Sequence, residues 1–372
     1  MKFQVERDVL AEAVAWAARS LSPRPPLPVL SGLLITAENN EVSIASFDYE
    51  ISARLTIAAD VHEEGTILVS GRLLNEICAS LPAATVSVET DGSKVNLNCR
   101  QANFSLATMP VSEYPELPDT PEVIGRVDAH NFAQAINQIS IAASRDDTLP
   151  TLTSVKLEFE ADLITMLATD RYRLGLKELS WQPDQTDLST EALVKAKTLT
   201  DVARSLGTGG QISISLSDNA DLIAFESGGR WITSSLVDGD YPKIRSLFPE
   251  NSPIHALVNT AELTEAVKRV ALVAERNSPI RLIFSDGQVT LDAGAGDDAS
   301  ASEVVPAQLE GEDIAVGFNP SYLRDGLGAL STDHVRFSFT SAPKPVMLTG
   351  QNEADAADQQ SYRYLVMPVR LS

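Results

Sequence analysis

Leu27-Pro28-Val29-Leu30 and Leu149-Pro150-Thr151-Leu152 are two copies of one phrase, with Leu30 and Leu152 standing 122 positions apart. Each copy runs into a strand-like stretch and then an aspartate, Asp48 or Asp170, again 122 positions apart. A fainter third copy is Ile280-Arg281-Leu282-Ile283-Phe284, which resembles Val155-Lys156-Leu157-Glu158-Phe159. Self-similarity at a fixed period marks a chain built from repeated units and takes precedence over local motifs. Over 372 residues it predicts three units, each large enough to bury its own core.

Each copy opens with a short strand and a helix: Phe3-Gln4-Val5 then Asp8–Ser20, Val127 then His130–Arg145, Leu257-Val258 then Ala261–Asn277. A second helix follows an apolar strand near Ser70, Lys195 and Asn319. Between them lie β-branched or alternating runs such as Val42–Ala45, Ile51–Leu55, Thr85–Val88 and Phe104–Leu106, the signature of half-buried strands. Asn39-Asn40, Asp91-Gly92 and Asp286-Gly287 supply tight-turn residues. The spacing therefore predicts an α+β fold with two amphipathic helices on one face of antiparallel sheet in every unit. Proline-rich stretches after Tyr114-Pro115 and Tyr241-Pro242 place the boundaries near 122 and 253, giving units 1–122, 123–253 and 254–372. Three such units in a row leave open strand edges, and pairing with a second copy is one way to close them.

His62, His130, His255 and His334 are scattered, without metal-ligand spacing, and no nucleophile elbow, phosphate loop or dinucleotide fingerprint is present. Gly207-Thr208-Gly209-Gly210 follows a helix, which suits a cap and turn rather than a phosphate cradle. Asp292–Asp298 is acidic and glycine-rich but lacks calcium-loop spacing. Asp48 and Asp170 recur in equivalent places, so turn roles fit them better than a catalytic pair. Cys78 and Cys99 are too few for a disulfide framework. The first residues have no apolar signal region and no stretch is long enough for a membrane helix, so the expected compartment is cytoplasmic.

A net charge of −22 looks hostile to nucleic acid, yet its distribution is uneven. The six expected helices carry +2 together and leave −24 to strands and loops. Their cations include Arg72, Arg145, Lys195, Lys197, Arg204, Lys268, Arg269, Arg276 and Arg324. Singly, each reads as a solvated face. Grouped on equivalent helices of an otherwise acidic chain, they read as a surface that tolerates DNA.

The landmarks Met1-Lys2-Phe3, Arg24–Leu30, Ala168–Leu174, Leu236–Pro242, Gly317–Tyr322 and Tyr364–Leu371, in this order over a threefold repeat, resemble the bacterial beta sliding clamps. These are the DNA polymerase III beta subunits, the processivity factors of the replicative polymerase. The resemblance spans the whole chain. It implies a non-enzymatic head-to-tail homodimer, a ring of six similar units with helices inside and sheets outside, that encircles double-stranded DNA and slides along it. It implies no cofactor, no metal and no membrane contact. It maps DNA-facing positions onto Arg24, Arg72, Arg145, Lys195 and Lys197. A pocket for short apolar peptides maps onto Leu152, Thr169, Arg171, Tyr172, Arg173, Leu174, Pro242, Ser246, Leu247, Pro343, Pro345, Val346, Leu365, Met367, Pro368, Val369 and Arg370. The implied partners are the polymerase alpha subunit, the clamp loader, and other DNA polymerases and repair proteins. Two departures stand out: Arg171-Tyr172 replaces the Gly-His of many relatives, and Ser246 replaces an arginine found in some. Pro150 and Thr151 also stand where some relatives carry DNA-holding aromatics.

The residues alone leave two other readings open, an enzyme acting on nucleic acid and a peptide-binding scaffold that never touches DNA. No titratable cluster supports the first, and a monomeric mass would favour the second.

Overall fold

The computed structural model describes residues 1–207, 209–219, 221–249, 251–274, 278–294, 299–354 and 356–370. The repeat survives at atomic detail. Leu30 N donates to Leu27 O over 3.1 Å and Leu152 N to Leu149 O over 2.9 Å. One residue on, Ser31 Oγ donates to Pro28 O (2.6 Å) and Thr153 Oγ1 to Pro150 O (2.8 Å). The aspartates shape matching turns. Asp48 Oδ1 accepts from Glu50 N and Ile51 N at 3.0 and 2.8 Å, and Asp170 Oδ1 accepts from Tyr172 N and Arg173 N, both at 3.0 Å. The next residue is left-handed in both copies, Tyr49 at φ 75° and Arg171 at φ 80°. These carboxylates are turn formers, as their recurrence implied.

Each third of the chain repeats strand–helix twice. The helices are α1 (Arg7–Ala18), α2 (Gly71–Ser80), α3 (Ala129–Ser140), α4 (Ala196–Leu206), α5 (Thr260–Val270) and α6 (Pro320–Ala329). Strands Lys2–Glu6, Gly65–Ser70, Val123–Asp128, Ser189–Lys195, Ile254–Asn259 and Ile314–Phe318 lead into them. Asn259 caps α5 through Glu262 N, and Asn319 caps α6 through Ser321 N and Tyr322 N, satisfying orphan donors of the first turn. The apolar stripe of each helix is buried: Leu10, Val14 and Ala17 in α1, Leu263, Val267 and Val270 in α5.

Two compact bodies form, Met1–His130 with Arg204–Leu236, and Asn131–Ala203 with Val237–Ser372. In the first, an antiparallel sheet runs Val123–Asp128, Gln211–Leu216, Leu222–Ser227, Arg230–Ser235, Ile51–Ala58, Glu41–Phe47, Gly32–Glu38, Gly65–Ser70, Ala102–Met109, Lys94–Cys99, Thr85–Asp91, Lys2–Glu6, Asp60–Glu63. The second body holds a twelve-stranded sheet. Its order is Ser189–Lys195, Ser154–Glu160, Leu163–Thr169, Arg173–Ser180, Gln359–Val366, Val346–Gln351, His334–Phe339, Ile254–Asn259, Ala301–Glu310, Gln288–Ala293, Ile280–Ser285, Ile314–Phe318. Strands distant in sequence thus close the edges that each third would leave open: Ile51–Ala58 pairs with Arg230–Ser235, and Arg173–Ser180 with Gln359–Val366.

The hairpin turns are those the sequence announces. Asn39 and Asn40 both have positive φ (49° and 60°), and Gly92 and Gly287 stand at 58° and 81°, matching the right-handed twist of the flanking strands. Cys78 and Cys99 are buried and unpaired, and burial pushes the Cys78 thiol up to about 12. Among the described residues, no helix is long and apolar enough to cross a membrane.

Three helix ends differ from expectation, with consequences for charge. The expected helix His130–Arg145 stops at Ser140, because Ala142 N and Ala143 N bond to Ile139 O and Ser140 O in tight turns. Ser144 N then turns away to Leu152 O, so Arg145 lies beyond the helix. Lys195 ends a strand rather than starting α4, and α5 ends at Val270. Arg276, Thr208 and the residues 295–298 of the candidate calcium loop lie outside the described residues. With these bounds the six helices are neutral overall instead of +2, and the whole −22 resides elsewhere. The contrast between neutral helices and acidic remainder persists.

Candidate functional site

Strand register assembles the apolar part of the site. Leu174 lies opposite Leu365, and Met347 lies opposite Leu365 on its other side. Directly paired residues share a sheet face, so three large side chains from three strands form one patch. Leu167, Leu176, Ile244 and Phe248 complete it, with Tyr241 and Met367 half-buried on top. A single turn of 3-10 helix, Arg245–Leu247, swings Phe248 down and leaves Leu247 47% exposed. Ordinary apolar burial of about 1.5–3 kcal/mol per such side chain holds this patch as part of the core.

Of the sequence-derived pocket residues, Leu152, Thr169, Arg173, Leu174, Val346 and Leu365 are buried. Pro345, Met367, Pro368 and Val369 are half-buried, while Arg171, Tyr172, Pro242, Ser246, Leu247, Pro343 and Arg370 are exposed. The chain's last described residues are tied at two points, Met367 N to Tyr172 O and Val369 N to Gly317 O, each 2.8 Å. Met367 is thereby held beside Leu174 and Leu365 instead of fraying. Sequence reasoning missed Ile244, Phe248, Leu167, Leu176 and Met347. Only Tyr241-Pro242 flagged that neighbourhood, and its flanks read as linker.

Beside the patch sits a charged network. The Arg173 guanidinium, 4% exposed as a residue, donates to Asp170 Oδ2 at 2.9 Å and Asp325 Oδ2 at 2.7 Å. It also lies 4.5 Å from the centre of the Tyr322 ring. Burial opposes its charge, but Tyr364, Asp325 and Asp170 outweigh that and raise its pKa further. Its side chain is therefore committed to joining the Asp170 turn to α6. Gly326 lets α6 approach closely, since a Cβ there would stand 2.5 Å from the Tyr364 ring, whose hydroxyl donates to Tyr322 O. Tyr172, 57% exposed, stacks on Tyr322 with centroids 6.3 Å apart.

The candidate DNA-facing cations fall in both bodies. Arg24 is exposed in the loop before Pro28, and the Arg72 side chain on α2 is 92% exposed, 3.6 Å from Glu76. Arg145 and Lys197 are exposed and Lys195 is half-buried. No groups of His, Cys, Asp and Glu able to hold a metal ion occur among the described residues.

Comparison with known proteins decides the lineage. Family models of the DNA polymerase III beta subunit match in order along the chain: the N-terminal domain over residues 1–118, the central domain over 126–243 and the C-terminal domain over 245–370. The chain belongs to the DNA polymerase III beta subunit family. It is 65% identical over 310 residues to the beta sliding clamp of Micrococcus luteus, covering 83% of this chain and 100% of that one. It is 52% identical over 375 residues to the Streptomyces coelicolor clamp, covering 100% of both. A crystal structure of the Pseudomonas aeruginosa sliding clamp bound to griselimycin superposes with a TM-score of 0.93 at 27% identity, covering 100% of both chains. The fold is the clamp fold, and the function is that of a polymerase processivity factor.

Proposed function

We propose that this clamp works as a closed head-to-tail homodimer that encircles double-stranded DNA and tethers partners through the Leu174–Leu365–Met367 patch. The observation that carries the ring is a pair of unlike open strand edges. Residues 102–107 pair only with Lys94–Cys99, and residues 301–306 only with Gln288–Ala293, among the described residues. Phe104 on the first edge, and Val304 with nearby Leu272 at 84% exposure in the C-terminal third, are exposed large hydrophobics. Unlike edges that pair between copies make a heterologous contact, which closes into a ring when the rotation allows. Edge pairing also removes an aggregation hazard.

Enclosure removes the need for ionic grip. Duplex DNA carries a phosphate charge about every 1.7 Å of axis, and tight binding requires many cations. A chain at −22 whose helices sum to neutral suits sliding better than gripping. Arg24, Arg72, Arg145, Lys195 and Lys197 are the proposed phosphate-facing positions. The peptide pocket comprises the sequence-derived set, and its proposed users are the polymerase alpha subunit, the clamp loader, other polymerases and repair proteins. The role is tethering in the cytoplasm rather than catalysis, and the units are 1–122, 123–253 and 254–372.

The test combines solution mass with retention on DNA. A dimer of twice 40.0 kDa that stays on nicked circular plasmid and runs off linearised plasmid is expected. Val304→Asp should give monomers that are not retained. Equal loss from circular and linear DNA, or a monomeric wild-type chain, refutes encirclement.

A further inference from the structure

The apolar patch does not account for the cleft beside it. This cleft, about 560 Å³, is framed by the loop after α3, the Asp170–Arg173 turn and the start of α6. Four arginines (Arg145, Arg171, Arg173, Arg324) and three aspartates (Asp146, Asp170, Asp325) line it. The aspartates have internal work. Asp146 Oδ1 accepts from Thr148 N and Oγ1 at 3.0 and 2.7 Å, Asp170 holds its own turn and Arg173, and Asp325 holds Arg173. Arg171 lies near enough to Asp146 to help lower its pKa, after the Thr148 hydrogen bonds. Yet Arg145, Arg171 and Arg324 are exposed and form no ion pair among the described residues. Arg145 is already among the proposed phosphate-facing positions, which leaves the Arg171 and Arg324 guanidiniums, with unspent donors around one concave space, as an anion-binding arrangement.

We propose that the cleft receives a carboxylate side chain, Asp or Glu, carried by the partner peptide next to its apolar anchors. This rests on the peptide-docking reading above and adds to it a charged specificity element. Continuity supports it. The Tyr172 carbonyl holds Met367 on the patch, and the Tyr172 and Tyr322 residues line the cleft. A peptide lying over Met367 therefore passes directly into the charged space. The three aspartates oppose a polyanion whose phosphates are spaced along a rigid rod, whereas a lone carboxylate can sit among guanidiniums alone. Arg171 is the telling residue, since a left-handed backbone favours glycine and this chain places a long cation there.

Fluorescence anisotropy with the full-length protein tests it, using labelled Glu-Glu-Ser-Leu-Ser-Leu-Phe-Glu-Glu and the same peptide with glutamine for each glutamate. The glutamate peptide should bind about three- to tenfold tighter at low salt, the range for a partly exposed charge-assisted contact. Arg324→Glu should abolish that preference while leaving affinity for the glutamine peptide and the melting temperature unchanged. Equal binding of both peptides to the wild type, or a preference that survives Arg324→Glu, overturns the cleft assignment and leaves the docking reading intact. Failure of both peptides to bind brings down the docking reading and the cleft together. If no preference exists and Arg324→Glu instead shortens retention on nicked circular plasmid, the cleft faces DNA phosphate and the proposal is wrong.

Discussion

Asp48→Ala and Asp170→Ala form a matched pair, because the fold uses the same turn twice and adds one job to the second copy. Each loses the carboxylate oxygen that accepts from two backbone N–H groups at 2.8–3.0 Å. By analogy with the loss of a helix cap, that costs about 1–2 kcal/mol. Asp170 also accepts from Arg173 Nε at 2.9 Å, with its side chain only 12% exposed and that of Arg173 5%. Removing it strands part of a buried cation, a change that costs about 3–5 kcal/mol when no other partner remains. Arg173 keeps Asp325 and the Tyr322 ring, so the extra cost should be nearer 2 kcal/mol. Asp170→Ala should therefore cost about 3–4 kcal/mol in all, roughly twice the Asp48→Ala loss. Hydrogen exchange with mass spectrometry reads this locally, comparing amides of 41–58 in the first variant with 163–180 in the second. A double variant, Asp170→Ala with Asp325→Asn, should fall well short of or beyond additivity, since both carboxylates serve one guanidinium. Equal protection losses from the two single variants would show that the Arg173 bond contributes nothing and refute the network as described.

Three further outcomes follow from single features. Arg171→Gly removes a side chain from a φ of 80° and should raise stability by about 1 kcal/mol, seen as a higher melting temperature; a drop would mean that Arg171 makes contacts outweighing its strain. Met367→Ala leaves the two tail hydrogen bonds in place and should weaken apolar-peptide binding by about tenfold without altering the mass of the dimer, as read by anisotropy and light scattering. His255 has its pKa lowered by burial and by Arg336, so the unfolded chain takes up its proton more readily. Its contribution to stability is full above pH 6.5, falls as pH drops through that value, and levels off below the depressed folded pKa. His255→Gln should flatten that part of a urea-denaturation pH profile, and an unchanged profile would remove His255 as its source.

The fold was legible because the repeated residues are those with backbone demands. Pro28 and Pro150, and Asp48 and Asp170, each force a local geometry, so their recurrence announces recurring structure. Helix ends were less legible: nothing in Ser144-Arg145 says that Ser144 N will prefer Leu152 O to another helical turn. Long-range pairing was not legible at all. Alternation in Arg173–Ser180 shows that it is a strand, but no local signal names Gln359–Val366 as its neighbour. For the same reason Phe248, inside a proline-rich stretch, read as linker although it is buried in the site, and Ile244, buried beside it, went unmarked. Arg173 was assigned to the pocket by resemblance, and its fixed ties to Asp170 and Asp325 needed coordinates to appear.

The pairing of Arg173–Ser180 with Gln359–Val366 also sets the order of events at the ribosome. The first body closes its distant pair once Arg230–Ser235 has emerged, some 180 residues after Ile51–Ala58, and the second waits as long again for Gln359–Val366, made some 180 residues after its neighbour. At about 5–20 residues per second, that edge and its apolar patch stand open for on the order of 10–40 s. Nascent chains of this length are thus exposed to sticking to one another through a surface the finished protein covers. Messages truncated before Gln359 should be far more aggregation-prone than those truncated just after Val366.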